Sequence, residues 1–171
     1  RAAVREMAGE LISLYQARAA ASGFAFPPED ELMRELERRF PYRETPDQQR
    51  AIDAVADDME RPRPMDRLIC GDVGFGKTEI AMRAAFRAAA GGKQVLMLVP
   101  TTILAQQHLA TFRERFGDMP MTVDMVNRFR SPAETREVLG RYREGRLDVL
   151  IGTHRLLSMD VQPKDLGLVI V

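Results

Sequence analysis

Residues 71–78 constrain the fold of this chain more than any other stretch of its sequence. They read Gly-Asp-Val-Gly-Phe-Gly-Lys-Thr and fit the P-loop pattern G-x-x-x-x-G-K-[ST]. An apolar run at 68–70 precedes them, and an alanine-rich stretch at 79–90 follows. We therefore predict a strand, a phosphate-binding loop and a helix in succession. The alternative is a glycine-rich turn that binds no ligand.

Each residue type in this pattern suits the binding of phosphate. Glycines let the backbone turn its N–H groups inward as an anion nest. A helix that starts near Gly76 adds its positive dipole end. The ammonium group of Lys77 can reach the β- and γ-phosphates, and the hydroxyl of Thr78 can ligate Mg²⁺. We expect the chain to bind a nucleoside triphosphate together with magnesium.

Composition limits the class of protein. The 171 residues are 45% hydrophobic, which is enough for one globular domain with a core. Lys and Arg total 25, as do Asp and Glu, so a role in binding nucleic acid needs a local basic patch. The one cysteine, Cys70, lies in the apolar run and is interpreted as a buried thiol in a reducing compartment. No apolar run has membrane-spanning length and no signal-like start is visible, so we expect a cytoplasmic protein without a membrane partner.

Strand-like and helix-like segments alternate along the chain. Helical patterns and caps predict helices at 2–21, 29–39, 46–60, 79–90, 102–116 and 132–144. Continuous apolar runs predict strands at 68–70, 95–99, 121–126, 148–151 and 166–171. This alternation predicts βαβ units, an α/β fold and a parallel sheet, preceded by an N-terminal helical segment.

The segments around the P-loop resemble superfamily 2 helicases of the RecG-like group. The similar stretches are 40–48, 61–67, 99–108, which resembles motif Ia, and 151–157, which resembles motif Ic. Phe75 and the run Asn-Arg-Phe-Arg-Ser at 127–131 are more similar to the transcription-repair coupling factors than to RecG-type helicases. This resemblance covers residues 1–171 and is strongest from Phe40 onward.

The resemblance implies that 40–171 form the N-terminal part of a first RecA-like P-loop NTPase motor domain, and that 1–39 form a helical linker. It implies an ATP-dependent double-stranded DNA translocase that displaces stalled RNA polymerase. RNA polymerase and nucleotide-excision-repair proteins would be bound by other parts of such a protein. In this family the strand that resembles 166–171 leads into an acidic box that these residues do not include. We therefore expect them to bind ATP and Mg²⁺ without turnover.

The resemblance also assigns residues to the nucleotide site, with Lys77 and Thr78 as catalytic residues and Thr78 as the ligand of Mg²⁺. Gln48 resembles the glutamine that recognises adenine, the alternative being an exposed helix residue. Phe40 or Tyr42 would stack on adenine, or else anchor a helix end. The full nucleotide-binding set is Phe40, Gln48, Gly71, Asp72, Val73, Gly74, Phe75, Gly76, Lys77, Thr78 and Glu79.

A second set of residues is expected to contact the DNA backbone from loops after the strands. The threonines in this set could instead be helix caps, and the two arginines could be a surface charge pair. The set is Thr101, Thr102, Arg128, Arg130, Gly152, Thr153 and His154.

Other readings of the chain remain open. They are a RecG-like branched-DNA helicase, a nucleotide-binding or docking module without motor activity, and a small-molecule kinase. In the family's sheet, the P-loop strand near Leu68 has neighbours on both sides, one of them from sequence beyond these residues. We therefore expect these residues alone to be marginally stable or to self-associate through an unpaired strand.

Overall fold

The computed structural model describes residues 2–171, and side chains from Met7 onward. Helices and strands alternate after an N-terminal helical region, as the sequence predicts. The elements in chain order are α1 (Ala2–Ala20), α2 (Glu31–Arg38), α3 (Pro46–Met59), α4 (Lys77–Ala90), β1 (Gln94–Leu98), α5 (Thr102–Phe116), β2 (Val123–Val126), α6 (Pro132–Arg143), β3 (Val149–Gly152), a 3₁₀ helix (His154–Leu157) and β4 (Leu166–Ile170).

The four strands form one parallel sheet in the order β2-β3-β1-β4. Alternate side chains of the strands point to opposite faces. Val95 and Val149 are fully buried on the face that α3, α4 and α5 cover, whereas Leu96 and Leu150 meet α6 on the other face. Helices on both faces of a parallel sheet confirm the predicted α/β fold.

The helix starts follow the capping residues that the sequence shows. Thr45 and Ser131 each form a capping box, with Gln48 and Glu134 at the third helical position. Thr101 caps α5 by accepting a hydrogen bond from the amide of Leu104. The predicted helix boundaries are therefore correct to within one or two residues at these ends.

The strand predicted at 68–70 is wrong. These residues are irregular, the side chain of Leu68 is 85% exposed, and Cys70 is also exposed. An apolar run becomes a strand only where another strand pairs with its backbone, and no strand in residues 2–171 does so. Cys70 is accordingly not the buried thiol that the sequence suggested.

Helix α1 is exposed on every side that can be described. Met7, Leu11 and Tyr15 are each at least half exposed. An ion pair between Arg18 and Asp66 links the end of α1 to the segment before the P-loop. None of the helices within 2–171 combines the length and apolar character needed to cross a membrane.

Residues before Phe40 also take part in the core. Phe26, Met33 and Leu36 are buried in the same apolar cluster as α3 and α4. Helix α2 therefore packs on the P-loop helix although the sequence suggested a linker up to residue 39. The division of the chain at this point stays a prediction.

The two edges of the sheet differ. On the edge strand β2 the carboxylate of Asp124 is buried and paired with Arg130 and Arg141. On the edge strand β4, Leu166 and Val169 are 41% and 51% exposed. The expectation of self-association stays a prediction, and the strand edge concerned is that of β4 rather than that of 68–70.

One buried side chain ties the amino-terminal ends of the strands together. The amide nitrogen of Gln94 donates to the carbonyls of Tyr142 and Leu147, at 2.7 and 2.8 Å. Its amide oxygen accepts from the backbone N–H groups of Lys164 and Asp165, at 2.7 and 3.0 Å. Gln94, at the start of β1, thus holds the turn before β3 and the segment before β4.

We predict that Gln94→Met destabilises the fold strongly. Methionine fills similar space but leaves the Leu147 carbonyl and two N–H groups without partners, and it removes one of the two hydrogen bonds of the Tyr142 carbonyl. Each buried group left unpaired costs about 1–3 kcal/mol. The free energy of unfolding in urea should fall by at least about 3 kcal/mol. The control Gln162→Met, at an exposed position, should change it by less than about 0.5 kcal/mol. Equal effects of the two variants would contradict this role of Gln94.

Candidate functional site

The predicted site residues lie at one edge of the sheet because of the direction of the chain. Helix α4 ends at Ala90, shortly before β1 begins at Gln94, so its first residue, Lys77, lies toward the carboxyl ends of the strands. Thr101 and Thr153 follow the carboxyl ends of β1 and β3. This edge is where parallel α/β sheets bind ligands.

The loop before α4 has the backbone shape of an anion site. Gly74 and Gly76 have φ angles of 84° and 74°, which curl the loop. Helix α4 begins without a side-chain cap, so its first N–H groups are available to an anion. The Nζ atom of Lys77 donates to the carbonyls of Gly71 and Asp72, at 2.5 and 2.8 Å, so the charge lies within the loop.

Gln48 is brought to the P-loop, as the sequence predicts, but its amide has protein partners. The amide oxygen accepts from the N–H of Thr45 at 2.8 Å. The amide nitrogen donates to the carbonyl of Phe75 at 2.8 Å. Gln48 therefore connects the start of α3 to the P-loop, and binding adenine through the same amide would require exchanging these bonds.

A cleft of about 550 Å³ lies between the P-loop and the segment before α3. Phe40, Tyr42 and Thr78 line it. The guanidinium groups of Arg83 and Arg115 lie 5.7 and 5.2 Å from the centre of the Phe40 ring, so this ring is held in place. The Tyr42 and Phe40 rings form a T-shaped contact with centroids 5.6 Å apart, and Tyr42 is 74% exposed, so a ligand can reach it.

A buried ion network, which the sequence analysis did not find, supports this cleft. One oxygen of Glu79 accepts from Arg83 at 2.9 Å and from Arg115 at 2.7 Å. Arg83 also pairs with Glu37 and Glu44, on segments before α3. The pairing of Glu79 with Arg83, four residues apart, is visible as a helix pattern, but that with Arg115 joins distant helices.

The resemblance assigns Glu79 to the nucleotide-binding set, but the structure places its carboxylate in a buried ion network. Glu79 is 8% exposed, and its carboxylate faces the two arginines. Burial lowers the pKa of Arg115, against the opposing effect of the Glu79 carboxylate. Nε and Nη1 of Arg115 have no hydrogen-bond partner in the part of the chain that the structure describes, and its guanidinium group lies against the Phe40 ring. The Glu79 carboxylate thus orients side chains around the nucleotide cleft.

Two features of the loop fit a nucleoside triphosphate. They are the uncapped start of α4 and the ammonium group of Lys77. For magnesium, Thr78 lies half-buried in the cleft as one possible ligand. Among the side chains described, those of 7–171, no group of three or more His, Cys, Asp or Glu could hold a metal ion. The residues present therefore fit a magnesium ion that arrives with its phosphate ligands.

A second cleft, of about 860 Å³, lies at the ends of β1, β2 and β3. It brings together six of the seven residues predicted to contact DNA. Four arginines and one aspartate line it, so it is locally basic although the chain has no net charge. The lining residues with predicted roles or charges are Thr101, Thr102, Arg128, Arg130, Arg136, Thr153, His154, Arg155 and Asp160.

The threonines of this cleft serve different local needs. Thr101 caps α5, so its hydroxyl oxygen already accepts a hydrogen bond. Thr153 is buried and precedes the 3₁₀ helix without a side-chain cap bond, and His154 is the exposed first residue of that helix. Gly152, the seventh predicted residue, lies beneath them. A Cβ there would come within 2.9 Å of Leu156 and of the carbonyl of Val126, so packing alone explains this glycine.

We predict that Gly76→Ala is more harmful than Gly74→Ala. Both positions have positive φ, which costs an L-residue about 1–2 kcal/mol. A Cβ at Gly74 meets nothing within 4 Å, whereas one at Gly76 comes within 2.5 Å of the amide nitrogen of Gln48. Gly76→Ala should therefore displace the Gln48 amide and lower the free energy of unfolding by about 0.5–1.5 kcal/mol more than Gly74→Ala, the net value of the hydrogen bond from Gln48 to Phe75. Denaturant unfolding of both variants measures this, and equal losses would show that the Gln48 contact contributes nothing.

Comparison with known proteins identifies the family. The family model of the DEAD/DEAH box helicases matches residues 45–171. The chain is 56% identical over 98% of its length to the transcription-repair-coupling factor of Bacillus subtilis, of which it covers 14%. It is 55% identical, again over 98% of its length, to that of Escherichia coli, of which it covers 15%.

A solved structure agrees with these sequence matches. The structure of RecG bound to a three-way DNA junction aligns with 92% of this chain and 22% of its own, with a TM-score of 0.85 and 36% identity. The chain thus spans about a seventh of the curated relatives' length. It belongs to the DEAD/DEAH box helicase family and is similar to one segment of the transcription-repair-coupling factors.

Proposed function

We propose that this chain is the ATP-binding part of an ATP-dependent double-stranded DNA translocase that couples transcription to DNA repair. The observation that carries this proposal is the P-loop, in which Lys77 and the uncapped start of α4 converge. The phosphates of a nucleoside triphosphate would accept hydrogen bonds from both the ammonium group and the free N–H groups of the helix. The relatives' name supports the role in transcription and repair.

The nucleotide would lie with its phosphates in the loop and its base toward Tyr42 and Phe40. Lys77 neutralises the β- and γ-phosphates when it leaves the carbonyls of Gly71 and Asp72. The hydroxyl of Thr78 would hold Mg²⁺, which would supply positive charge for phosphoryl transfer. Gln48 positions the loop and is next to the base.

The basic cleft would hold the backbone of duplex DNA. Hydroxyl, amide and guanidinium groups bind phosphate without reading sequence, as a translocase requires. The solved RecG neighbour was determined with a DNA junction, which supports DNA as the ligand of this edge. The greater identity to the coupling factors favours a translocase over a branched-DNA helicase.

Helix α5 connects the two sites. It starts at Thr102 in the basic cleft, and Arg115 near its end binds Glu79, the residue after Thr78. A shift of the P-loop helix on nucleotide exchange would therefore move α5 relative to DNA.

RNA polymerase and repair proteins are proposed partners of the longer protein. Since bacterial DNA and RNA polymerase are cytoplasmic, a cytoplasmic location is part of this proposal.

We predict that Lys77→Ala weakens ATP binding by about 10- to 150-fold. The variant loses a charge-assisted contact worth about 1.5–3 kcal/mol. Titration with a fluorescent ATP analogue in the presence of Mg²⁺ measures the affinity. The matched control is Lys164→Ala, which removes the same charge just before β4, at the opposite edge of the sheet, and should leave affinity unchanged. Equal affinity of Lys77→Ala and the unmodified protein would rule out the P-loop as the nucleotide site.

A further inference from the structure

The loop after β2 carries two arginines that the structure treats differently. Arg128 and Arg130 both line the basic cleft, and the sequence assigns both to DNA. The guanidinium group of Arg130 donates to the Asp124 carboxylate at 2.6 Å, and the Arg130 side chain is 22% exposed. That of Arg128 lies 4.9 Å from the centre of the Phe129 ring, which is 66% exposed. One arginine is held inward and the other is presented outward.

Asp124 is the centre of a charge cluster at the edge of the sheet. Its side chain is 8% exposed and lies on β2. Besides Arg130, it contacts Arg141 of α6 at 3.2 Å and Arg113 of α5 at 3.5 Å. The carboxylate therefore joins three arginines from three segments, and a buried acid with several hydrogen bonds is fixed in position.

The loop is fixed from its other end as well. Asn127 is 6% exposed, and its amide oxygen accepts from the backbone N–H groups of Phe129 at 2.9 Å and of Arg130 at 3.1 Å. This turn sets the backbone direction, and the ion pair of Arg130 with Asp124 sets its distance from the sheet. A loop fixed at both ends presents the side chain between them in one orientation.

We propose that Arg130 is a positioning residue, which clamps this loop to Asp124, and that Arg128 is the residue of the pair that contacts DNA phosphate. The proposal rests on the proposed binding of DNA in the basic cleft. The Phe129 ring behind Arg128 limits the freedom of its side chain, so that less entropy is lost when the guanidinium group binds phosphate.

The substitution Asp124→Asn tests the proposal through the direction in which DNA affinity changes. It removes a negative charge near DNA and frees Arg130, so charge alone predicts tighter binding. The proposal predicts the opposite, because the loop loses its clamp and Arg128 its position. Binding should weaken about tenfold, the loss of one charge-assisted phosphate contact. Fluorescence anisotropy with a labelled DNA duplex measures the affinity.

The matched control is Asp160→Asn in the same cleft. Asp160 pairs with Arg155 at 2.6 Å, but its side chain is 53% exposed and it holds no loop against the sheet. This variant removes the same charge and should bind DNA more tightly than the unmodified protein. Binding of a fluorescent ATP analogue, at the other site, shows that both variants are folded.

The salt dependence of binding separates the two arginines independently of folding. Arg128→Gln should reduce the slope of log affinity against log salt by about 0.9, the value for one phosphate contact. Arg130→Lys keeps the charge but not the geometry of the pair with Asp124, and should weaken binding. If Arg130 touched phosphate directly, lysine would keep the contact and the slope.

These measurements distinguish failure of the clamp, the ion pair of Arg130 with Asp124, from failure of the proposed DNA cleft. Weaker binding by Asp124→Asn with tighter binding by Asp160→Asn supports the clamp. Tighter binding by both variants overturns the clamp and leaves the proposed DNA cleft intact. Duplex binding that none of these variants changes, or no binding by the unmodified protein, overturns the proposed cleft and the clamp with it.

Discussion

The buried amide of Gln94 is the interaction on which the arrangement of the sheet depends. Its four hydrogen bonds fix the start of β1 against the turn before β3 and the segment before β4. Strands aligned at their amino ends also end together at the opposite edge, where Thr101 and Thr153 lie. A polar side chain far from both clefts thus sets where the functional loops begin. Because the amide is completely bonded, its burial costs little.

The second constraint is the pair of Glu79 and Arg115, which joins α4 to α5 inside the protein. A buried charge pair of this kind contributes little net stability, since desolvation offsets the attraction. Its value is geometric, because Glu79 follows Thr78 directly and Arg115 also meets the Phe40 ring. The position of the nucleotide loop, the wall of its cleft and the helix that starts in the basic cleft are therefore set by one carboxylate.

Local sequence patterns predicted much of this fold, and long-range contacts account for the failures. Thr45 and Ser131 correctly predicted the starts of α3 and α6, because capping involves only neighbouring residues. The run at 68–70 failed as a strand because pairing depends on a partner that the run itself does not specify. The sequence predicted most of the residues that line the two clefts, but it assigned the same role to Arg130 and Arg128. Only its contact with Asp124, six residues away on a strand edge, tells the two apart.

The irregular backbone at 68–70 also determines how the P-loop is held. In residues 2–171 no strand supports the loop from its amino-terminal side, so its position depends on α4 and on the hydrogen bond from Gln48 to Phe75. Among the residues that the structure describes, β4 is an edge strand with exposed apolar side chains. A strand added at β4 would extend the sheet on the side of 63–68, which lines a common cleft with β4. Leu68 lies in this cleft beside β4, so the segment before the P-loop faces the edge of the sheet that carries exposed apolar side chains.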